Sequence, residues 1–337
     1  MDAAKILNKL MQKQDLTQTE SEFFLSGVIE GSISQVQTGA ILVALQMKGE
    51  TVSEIVSFIK VMRGRMVKVV SVDAIDVCGT GGDGSSSFNI STAVSFVVAG
   101  AGVKVAKHGN RAASSKCGAA DVLEKLDVNI NLSSVQAAEV LKSTGMVFLF
   151  APLFHPATKN VIAVRKELKV RTVFNFLGPF LNPVSVKRQL IGVPNIEIAK
   201  KLIQVGKELS YEHLWIVTSR DGMDEISVSA KTDVFELKNG KIKQFVIDPQ
   251  DFGIKKSSKK EIEEGTLSEN AEFIRDIFNG VKNAKRDIVV LNSAAALYVA
   301  GKAKDIREGI EMAEESIENG KAKKILENMI KETQRYV

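Results

Sequence analysis

The chain has 337 residues and a mass of 36.6 kDa, a length that predicts about two domains. Hydrophobic residues make up 45% and charged residues 25%, which excludes a disordered chain, a collagen-like chain and a coiled coil. The 45 lysines and arginines exceed the 40 acidic residues by five, and a net charge of +5 over this length gives little support to nucleic-acid or membrane binding.

The two cysteines, Cys78 and Cys117, are too few for a disulfide scaffold or a four-cysteine zinc site. The three histidines are scattered, so only a metal with oxygen ligands remains open. Low cysteine content fits a reducing compartment and predicts a cytoplasmic protein. The longest strongly apolar stretch, Ala93–Val105, is too short to cross a bilayer, and the first residues lack a signal-peptide layout.

Residues 3–66 are predicted to be helical, because their apolar side chains recur three and four positions apart. Thr19 with Glu22 resembles a capping box, and Ser53 precedes a similar pattern. This region contains no strand signal, so the chain should begin with a small all-helical unit.

From about Ala74 the pattern changes to short apolar runs that alternate with helical stretches, as expected for a mostly parallel sheet covered by helices. The predicted strands are Ile75–Cys78, Val103–Ala106, Met146–Phe150, Leu190–Val193 and Leu214–Thr218. A helix is predicted over Ser91–Gly100. Asn239-Gly240 predicts a hairpin within Val234–Ile247, and residues from Leu267 to Arg335 should be helical.

A glycine-rich loop, Gly79-Thr80-Gly81-Gly82-Asp83-Gly84, follows the first predicted strand and leads into Asn89-Ile90-Ser91-Thr92. Glycines allow backbone N–H groups to converge on an anion, and a helix N-terminus favours phosphate. The loop lacks the Gly-Lys-Ser/Thr of a P-loop and is not a dinucleotide fingerprint. The alternative is a flexible turn in which Asn89 or Ser91 caps the helix.

A second polar loop, Lys107-His108-Gly109-Asn110-Arg111-Ala112-Ala113-Ser114-Ser115, follows the next predicted strand. Because ligands bind at the carboxyl ends of strands in open α/β sheets, both loops should meet at one sheet edge. The cations, amide and hydroxyls of this loop suit a polyanion such as a pyrophosphate. The alternative is a solvated basic loop.

Two further segments carry charged side chains. Arg165 and Lys169 should share one face of a helix, where a surface role is the alternative to binding. Asp224-Glu225 follows the predicted strand Leu214–Thr218 and offers carboxylate ligands for Mg²⁺, or forms an acidic turn.

Together these segments resemble the anthranilate phosphoribosyltransferase family. Gly79–Asp83 matches the family's glycine loop, Asn89–Thr92 its Asn-x-Ser-Thr segment, and Lys107–Ser115 its Lys-His-Gly-Asn-Arg stretch. Gly118–Glu124, Arg165–Pro179 and Asp224-Glu225 match further family blocks, so the resemblance covers most of the chain.

The resemblance implies a small helical domain beside a large α/β domain, with the site in the cleft between them. The small domain would be residues 1–70, joined by about 165–184, and the large domain residues 71–164 and 185–337. It also implies a homodimer formed through the helical domain. The implied reaction transfers the phosphoribosyl group of phosphoribosyl pyrophosphate (PRPP) to anthranilate, with Mg²⁺ as cofactor.

The resemblance also assigns site residues. The PRPP contacts near the first loop are Gly79, Gly82, Asp83, Ser87, Asn89, Ile90, Ser91 and Thr92. Those near the second are Lys107, His108, Gly109, Asn110, Arg111, Ala112, Ala113, Ser114, Ser115 and Ala119. The anthranilate contacts are Gly79, His108, Asn110, Arg165, Gly178 and Pro179, and the Mg²⁺ ligands are Ser91, Asp224 and Glu225. No residue is assigned as nucleophile or base, because the aromatic amine is already neutral.

Three positions depart from the family pattern: Ser87 stands for a common threonine, Ala113 for a valine and Ala119 for a serine. Two rival functions share the scaffold. A pyrimidine nucleoside phosphorylase would carry a different loop at Lys107–Arg111 and would not need Asp224-Glu225. A nucleic-acid-binding relative would have degraded substrate motifs, whereas the motifs here are intact.

Overall fold

The computed structural model describes residues 2–70, 72–81, 84, 86–112 and 117–337. Five of the predicted PRPP contacts therefore lie outside the described residues: Gly82, Asp83, Ala113, Ser114 and Ser115.

The chain begins with the predicted helical unit. Its helices are α1 (Ala3–Met11), α2 (Gln18–Glu30), α3 (Gln35–Lys48) and α4 (Val52–Arg65). Their apolar faces pack into one cluster that includes Phe24, Leu42 and Phe58, each at most 1% exposed. This confirms the helical spacing seen in the sequence.

The predicted capping boxes were wrong by two residues. Thr17, not Thr19, caps α2 by accepting from the amide of Glu20, and Thr51 caps α4 by accepting from Glu54. Thr17 with Glu20 and Thr51 with Glu54 have the same Thr-x-x-Glu spacing as the predicted pair Thr19 and Glu22. The error arose because a threonine or serine near a helix start can stand either at the cap or within the first turn.

One mixed sheet of seven strands lies within the described part of the chain, with the strand order β3-β2-β1-β4-β5-β6-β7. The strands are β1 (Ile75–Gly79), β2 (Val105–Gly109), β3 (Met146–Phe150), β4 (Arg188–Gly192), β5 (His213–Ser219), β6 (Thr232–Lys238) and β7 (Lys241–Ile247). The first five strands pair in parallel, and the last two are antiparallel. This confirms the predicted α/β class and the hairpin.

The strand order reverses at β1. The chain passes from β1 to β2 and β3 on one side, and then returns to place β4 on the other side of β1. In open α/β sheets a crevice forms at such a switch point, outside the carboxyl ends of the strands. The carboxyl ends of β1 and β4 therefore mark where a ligand site should lie.

Helices cover both faces of this sheet. They are α5 (Ile90–Gly100), α6 (Ala119–Lys125), α7 (Ser134–Thr144), α8 (Ala151–Phe154), α9 (Lys159–Leu168), α10 (Phe174–Leu177), α11 (Ile196–Glu208), α12 (Leu267–Phe278), α13 (Ala284–Val299), α14 (Ile306–Glu318) and α15 (Lys321–Gln334). Within the described ranges, no helix has both the length and the apolar character needed to span a membrane.

Alternate side chains of each strand pack on opposite faces, as a strand's period of two requires. Trp215 and Val217 of β5 join the cluster beneath α5 and α13, whereas Leu214 and Ile216 join the cluster that contains α11 and the N-terminal helices. The second cluster also includes Val164 of α9 and Phe176 of α10. The segment Lys159–Leu181 thus packs between the helical unit and the sheet, and the proposed domain limits stay a prediction.

Candidate active site

The acidic pair lies directly over the switch point. A Cβ added to Gly192, the last residue of β4, would stand 1.4 Å from the carbonyl oxygen of Asp224, and one added to Gly79 would stand 2.2 Å from its carboxylate. Only glycine at the ends of β1 and β4 allows this approach. The fold therefore places Asp224 at the edge where the sequence predicts phosphate binding.

The glycine loop starts against the same carboxylate. The amide of Gly81, which has a left-handed backbone (φ 70°), donates to Asp224 Oδ2 at 2.9 Å. After the loop, the carbonyl of Ser86 accepts from Glu264 and the amide of Phe88 donates to Ile262. The described residues on either side of the loop are thus anchored by segments that are distant in the sequence.

The residues after the glycine loop tie it to its neighbour. Asn89 stands at the N-cap of α5, but its side chain makes no capping bond and instead donates to the carbonyl of Cys117 at 3.1 Å. Among the described residues, Asn89 Oδ1, Thr80 Oγ1 and Thr92 Oγ1 are buried without a hydrogen-bond partner. Since buried polar atoms are normally paired, these three favour a polar ligand at this edge.

Lys107 links the two strand ends. Its side chain is 2% exposed, and its ammonium donates to the carbonyl of Val77 at 2.7 Å and to the hydroxyl of Ser91 at 3.1 Å. β2 thus delivers a buried cation to the N-terminus of α5. The structure brings together the first and second loops, as predicted.

His108, the next residue of β2, faces the other side of the sheet. Its ring lies 5.1 Å from that of His155, centroid to centroid, at an angle of 61°. Burial lowers the pKa of His108 to about 3 and that of His155 to about 4, so both imidazoles are neutral at pH 7. Within the described residues, His108 Nε2 and both nitrogens of His155 have no hydrogen-bond partner.

A buried network supports this second side. Asp76, fully buried in β1, accepts from the amide of His108 at 3.3 Å, from Asn182 at 2.9 Å and from Gln189 at 3.2 Å. Gln189 also donates to the carbonyl of Pro179 at 2.8 Å. Burial raises the pKa of Asp76 to about 6. The network fixes Pro179, a predicted anthranilate contact, against the sheet.

Arg165 lies in the last turn of α9, and its guanidinium stands 5.9 Å from the ring centroid of Phe174. Partial burial lowers the pKa of Arg165. No carboxylate of the described chain pairs with it. The expectation that Lys169 shares its helix face was wrong, because α9 ends at Leu168 and Lys169 has a left-handed backbone (φ 53°).

The remaining predicted residues occupy the same edge, with one qualification. Ile90 and Thr92 lie in the first turn of α5, Gly109 ends β2, and Ala119 begins α6. Ser87 pairs with Glu263 in an isolated bridge before α5. Arg111, in contrast, is bonded to Asp121 and Glu124 of α6. Gly178 begins a short 3₁₀-helix beside Pro179.

The donor chemistry suits Mg²⁺. Asp224 and Glu225 are each 8% exposed, and both are oxygen donors next to the strand-end loops. Mg²⁺ in enzymes is held by one or two carboxylates plus substrate phosphates and water. No cluster of three or more His, Cys, Asp or Glu residues with metal-site geometry occurs in the described ranges.

Sequence reasoning missed His155, Asp76, Asn182 and Gln189. His155 follows β3 by five residues, and its position just beyond a strand end was the available signal. The other three carried no signal, because Asp76 and Gln189 lie inside apolar strands and Asn182 lies in a loop. Their partners are distant in sequence.

Comparisons with known proteins agree with this architecture. Residues 71–323 match the family model described as "Glycosyl transferase family, a/b domain", and residues 4–66 match the one described as "Glycosyl transferase family, helical bundle domain". Over 96% of the chain, the sequence is 48% identical to the anthranilate phosphoribosyltransferase of Methanobrevibacter smithii, covering 97% of that protein.

Solved structures match equally well. The crystal structure of anthranilate phosphoribosyltransferase from Thermus thermophilus has a TM-score of 0.92 and 34% identity, and the match covers 99% of this chain and 100% of that one. The enzyme from Saccharomyces cerevisiae in complex with PRPP and Mg has a TM-score of 0.90 and 28% identity, with 99% and 98% covered.

Proposed function

Because the chain belongs to the anthranilate phosphoribosyltransferase family of glycosyl transferases, we propose that it transfers the phosphoribosyl group of PRPP to the amino group of anthranilate. The products are N-(5-phosphoribosyl)anthranilate and pyrophosphate, in tryptophan biosynthesis. The observation that carries the proposal is the meeting of the glycine loop, the buried Lys107 and Asp224 at the switch point of the sheet.

PRPP is proposed to bind at the carboxyl ends of β1 and β2. Of the predicted contacts in the first group, Ile90, Ser91 and Thr92 form the first turn of α5, where free N–H groups favour phosphate. In the second group, Lys107 would supply a cation at the same helix start, where it already donates to Ser91. Lys107 is proposed to exchange its bond to Ser91 for a substrate oxygen. The unpartnered oxygens of Asn89 and Thr92 within the described chain support a polar ligand here.

Asp224 and Glu225, with Ser91, are proposed to hold Mg²⁺ against the pyrophosphate. When bound, the ion supplies positive charge that stabilises the leaving group. The chain contributes the rest: Gly79 and Gly192 admit Asp224 to the edge, and the Gly81 amide orients the Asp224 carboxylate. This arrangement is preorganised before the substrate arrives.

Anthranilate is proposed to bind on the opposite side, between β2 and the Gly178-Pro179 turn. Arg165 carries a partly desolvated charge that no carboxylate of the described residues neutralises, and this charge suits the carboxylate of anthranilate. The neutral, buried rings of His108 and His155 are proposed to form one wall of this site, with Asn110 as a further contact. Since the amine of anthranilate has a free lone pair, the site needs to position it and exclude water, and no side chain has to remove a proton first.

The enzyme is proposed to be a cytoplasmic homodimer that needs neither nucleic acid nor membrane. Apolar side chains on the N-terminal helices support the dimer: Val36 is 82%, Met47 80% and Met11 69% exposed. A contiguous apolar patch marks an interaction surface, and we propose that these side chains contribute to one. A Val36→Glu variant should sediment as a monomer if this surface forms the interface.

The experiment that tests the function follows the fluorescence of anthranilate. The signal should fall only when PRPP and Mg²⁺ are both present, and pyrophosphate should appear in equal amount. A pyrimidine nucleoside phosphorylase would instead release a base from a nucleoside in phosphate buffer, without PRPP. Nucleoside cleavage with no loss of anthranilate would overturn the proposal.

A further inference from the structure

The loop between β2 and α6 is closed at its neck by one side chain, Asp121. We infer that Asp121 is a positioning residue that fixes both ends of this loop and thereby sets the affinity for PRPP. The inference rests on the proposed function, because this loop carries most of the second group of proposed PRPP contacts.

The neck of the loop is the pair of backbone positions, Ala112 and Gly118, that hydrogen bonds to Asp121 hold together. Asp121 Oδ2 accepts from the amide of Ala112 at 3.1 Å and from the amide of Gly118 at 2.9 Å. A single carboxylate oxygen thus joins two backbone positions, six residues apart, on either side of the loop. Its other oxygen, Oδ1, accepts from Arg111 at 2.8 Å.

Backbone packing makes the neck tight. A Cβ added to Gly118 would stand 2.2 Å from the amide nitrogen of Ala112 and 2.5 Å from the carbonyl carbon of Arg111. The entering and leaving strands of the loop are therefore in direct contact, which only glycine permits. The amide of Ala120 also donates to the carbonyl of Asn110 at 3.3 Å.

Arg111 and Glu124 complete the arrangement on the outer face. The guanidinium bonds to both oxygens of Glu124, at 2.6 Å and 2.8 Å, as well as to Asp121. Burial raises the pKa of Asp121, but the bonds from Ala112, Arg111 and Gly118 outweigh it and keep that pKa below its usual value. The carboxylate is therefore ionised at neutral pH and accepts all of these bonds.

These contacts separate Asp121 from Glu124. Both pair with Arg111, but only Asp121 bonds to the loop backbone in the described structure. Losing a charged acceptor frees two amides and lets the neck open. Arg111 and Ala112, two of the proposed PRPP contacts, are then no longer held in place before PRPP binds, so the apparent affinity for PRPP falls. His108 remains held in β2, and the carbonyl of Asn110 still accepts from the amide of Ala120, so anthranilate binding should change little.

The test compares Asp121→Ala, Asp121→Asn and the matched control Glu124→Gln. Asp121→Ala should raise the KM for PRPP roughly tenfold or more, as expected for a lost bond to a charged group. The KM for anthranilate should stay within about threefold by the same conversion. Asp121→Asn keeps an oxygen acceptor and should recover part of the loss, and Glu124→Gln should resemble the wild type.

Hydrogen exchange gives a readout independent of turnover. The amides of Ala112 and Gly118 should exchange faster in Asp121→Ala than in Glu124→Gln, at a temperature where both variants are folded. An unchanged KM for PRPP in Asp121→Ala, or an equal rise in both KM values, would overturn the inference while leaving the function standing. A wild type without PRPP-dependent turnover would overturn both.

Discussion

The two sides of the active-site edge are built in different ways. On the phosphate side, the glycine loop, the N-terminus of α5 and Lys107 follow one another closely in the sequence, and Lys107 reaches the start of α5 through Ser91. On the aromatic side, His108, His155, Pro179 and Arg165 come from four separate segments. β2 serves both, because Lys107 and His108 point to opposite faces.

The difference teaches where electrostatic and apolar recognition come from. A phosphate site needs converging amides and cations, which a short loop at a strand end can provide. An aromatic site needs a dry cavity with a few polar groups, which only packing between distant elements creates. The buried Asp76 network shows this directly, since it joins β1, β2, β4 and the Pro179 turn.

The largest expected effect comes from glycine at the switch point. Gly192→Ala would place a Cβ 1.4 Å from the Asp224 carbonyl oxygen, so the free energy of unfolding should fall by about 3 kcal/mol or more. On the aromatic side, Gly178→Ala meets no atom within 4 Å and should fold normally. Urea unfolding of both variants measures this difference in the free energy of unfolding, and equal values for the two variants would contradict the prediction.

The next effect concerns the acidic pair. Asp224→Asn with Glu225→Gln keeps the shapes but removes both charges, so kcat should fall roughly a hundredfold or more. The KM for anthranilate should change little, because its proposed site is on the other side. Asp221→Asn, in the same turn, should keep most of the activity. Wild-type turnover of the double variant, measured over a range of Mg²⁺ concentrations, would refute the assignment.

Arg165→Ala tests the aromatic side. Loss of a charged hydrogen bond should raise the KM for anthranilate roughly ten- to hundredfold, with little change for PRPP. Arg165→Lys should recover only part, because an ammonium cannot make the planar two-pronged contact. The exposed neighbour Lys166→Ala is the control. Saturation curves for both substrates that match the wild type would return Arg165 to a surface role.

The pH dependence of the free energy of unfolding distinguishes the two histidines of the aromatic side from Asp76. The folded pKa values of His108 and His155 lie near 3 and 4, below their ordinary 6.5, chiefly through burial. The contribution of the two neutral rings to the free energy of unfolding is full above pH 6.5. It is lost as the pH falls, by about 1.4 kcal/mol per pH unit for each proton that only the unfolded state binds. The free energy of unfolding should therefore decline from pH 6.5 towards 4.

The pKa shift of Asp76 changes the free energy of unfolding in the opposite direction. Burial raises its folded pKa from 3.8 to about 6, so its contribution is full below pH 3.8 and is lost as the pH rises through 6. Asp76→Asn should therefore steepen the decline in acid, and His155→Gln should flatten it. Urea unfolding across this window measures both slopes, and parallel curves for the three proteins would contradict the pKa assignments.

The smallest effect is expected at Ala119, where the family often has serine. Ala119 begins α6 beside the second loop, so Ala119→Ser should restore one hydrogen bond to PRPP. At about 1 kcal/mol, the KM for PRPP should fall about fivefold. Calorimetric titration with PRPP measures the matching change in the dissociation constant, and the KM for anthranilate is the internal control. An unchanged affinity would show that α6 does not reach the substrate.

Much of the phosphate side could be predicted from the sequence because its parts are local. A strand followed by glycines and a helix start has one common geometry, and two such units in parallel must meet at one edge. The caps of α2 and α4 were misplaced by two residues, since Thr17 and Thr19 each stand three residues before a glutamate and the local sequence does not choose between them. The sequence places Arg111 in the second loop, but it does not predict that Arg111 pairs with Glu124.

The sequence by itself determined the α/β class, the helical N-terminus, the strand-end loops and the family, because periodicity and contiguous motifs encode them. Only the tertiary structure decided how Asp224 approaches Gly79 and Gly192, which carboxylate joins the two ends of the second loop, and that His155 stands against His108. These features depend on contacts between residues far apart in the chain. Such contacts follow from how the layers pack, and no local pattern records them.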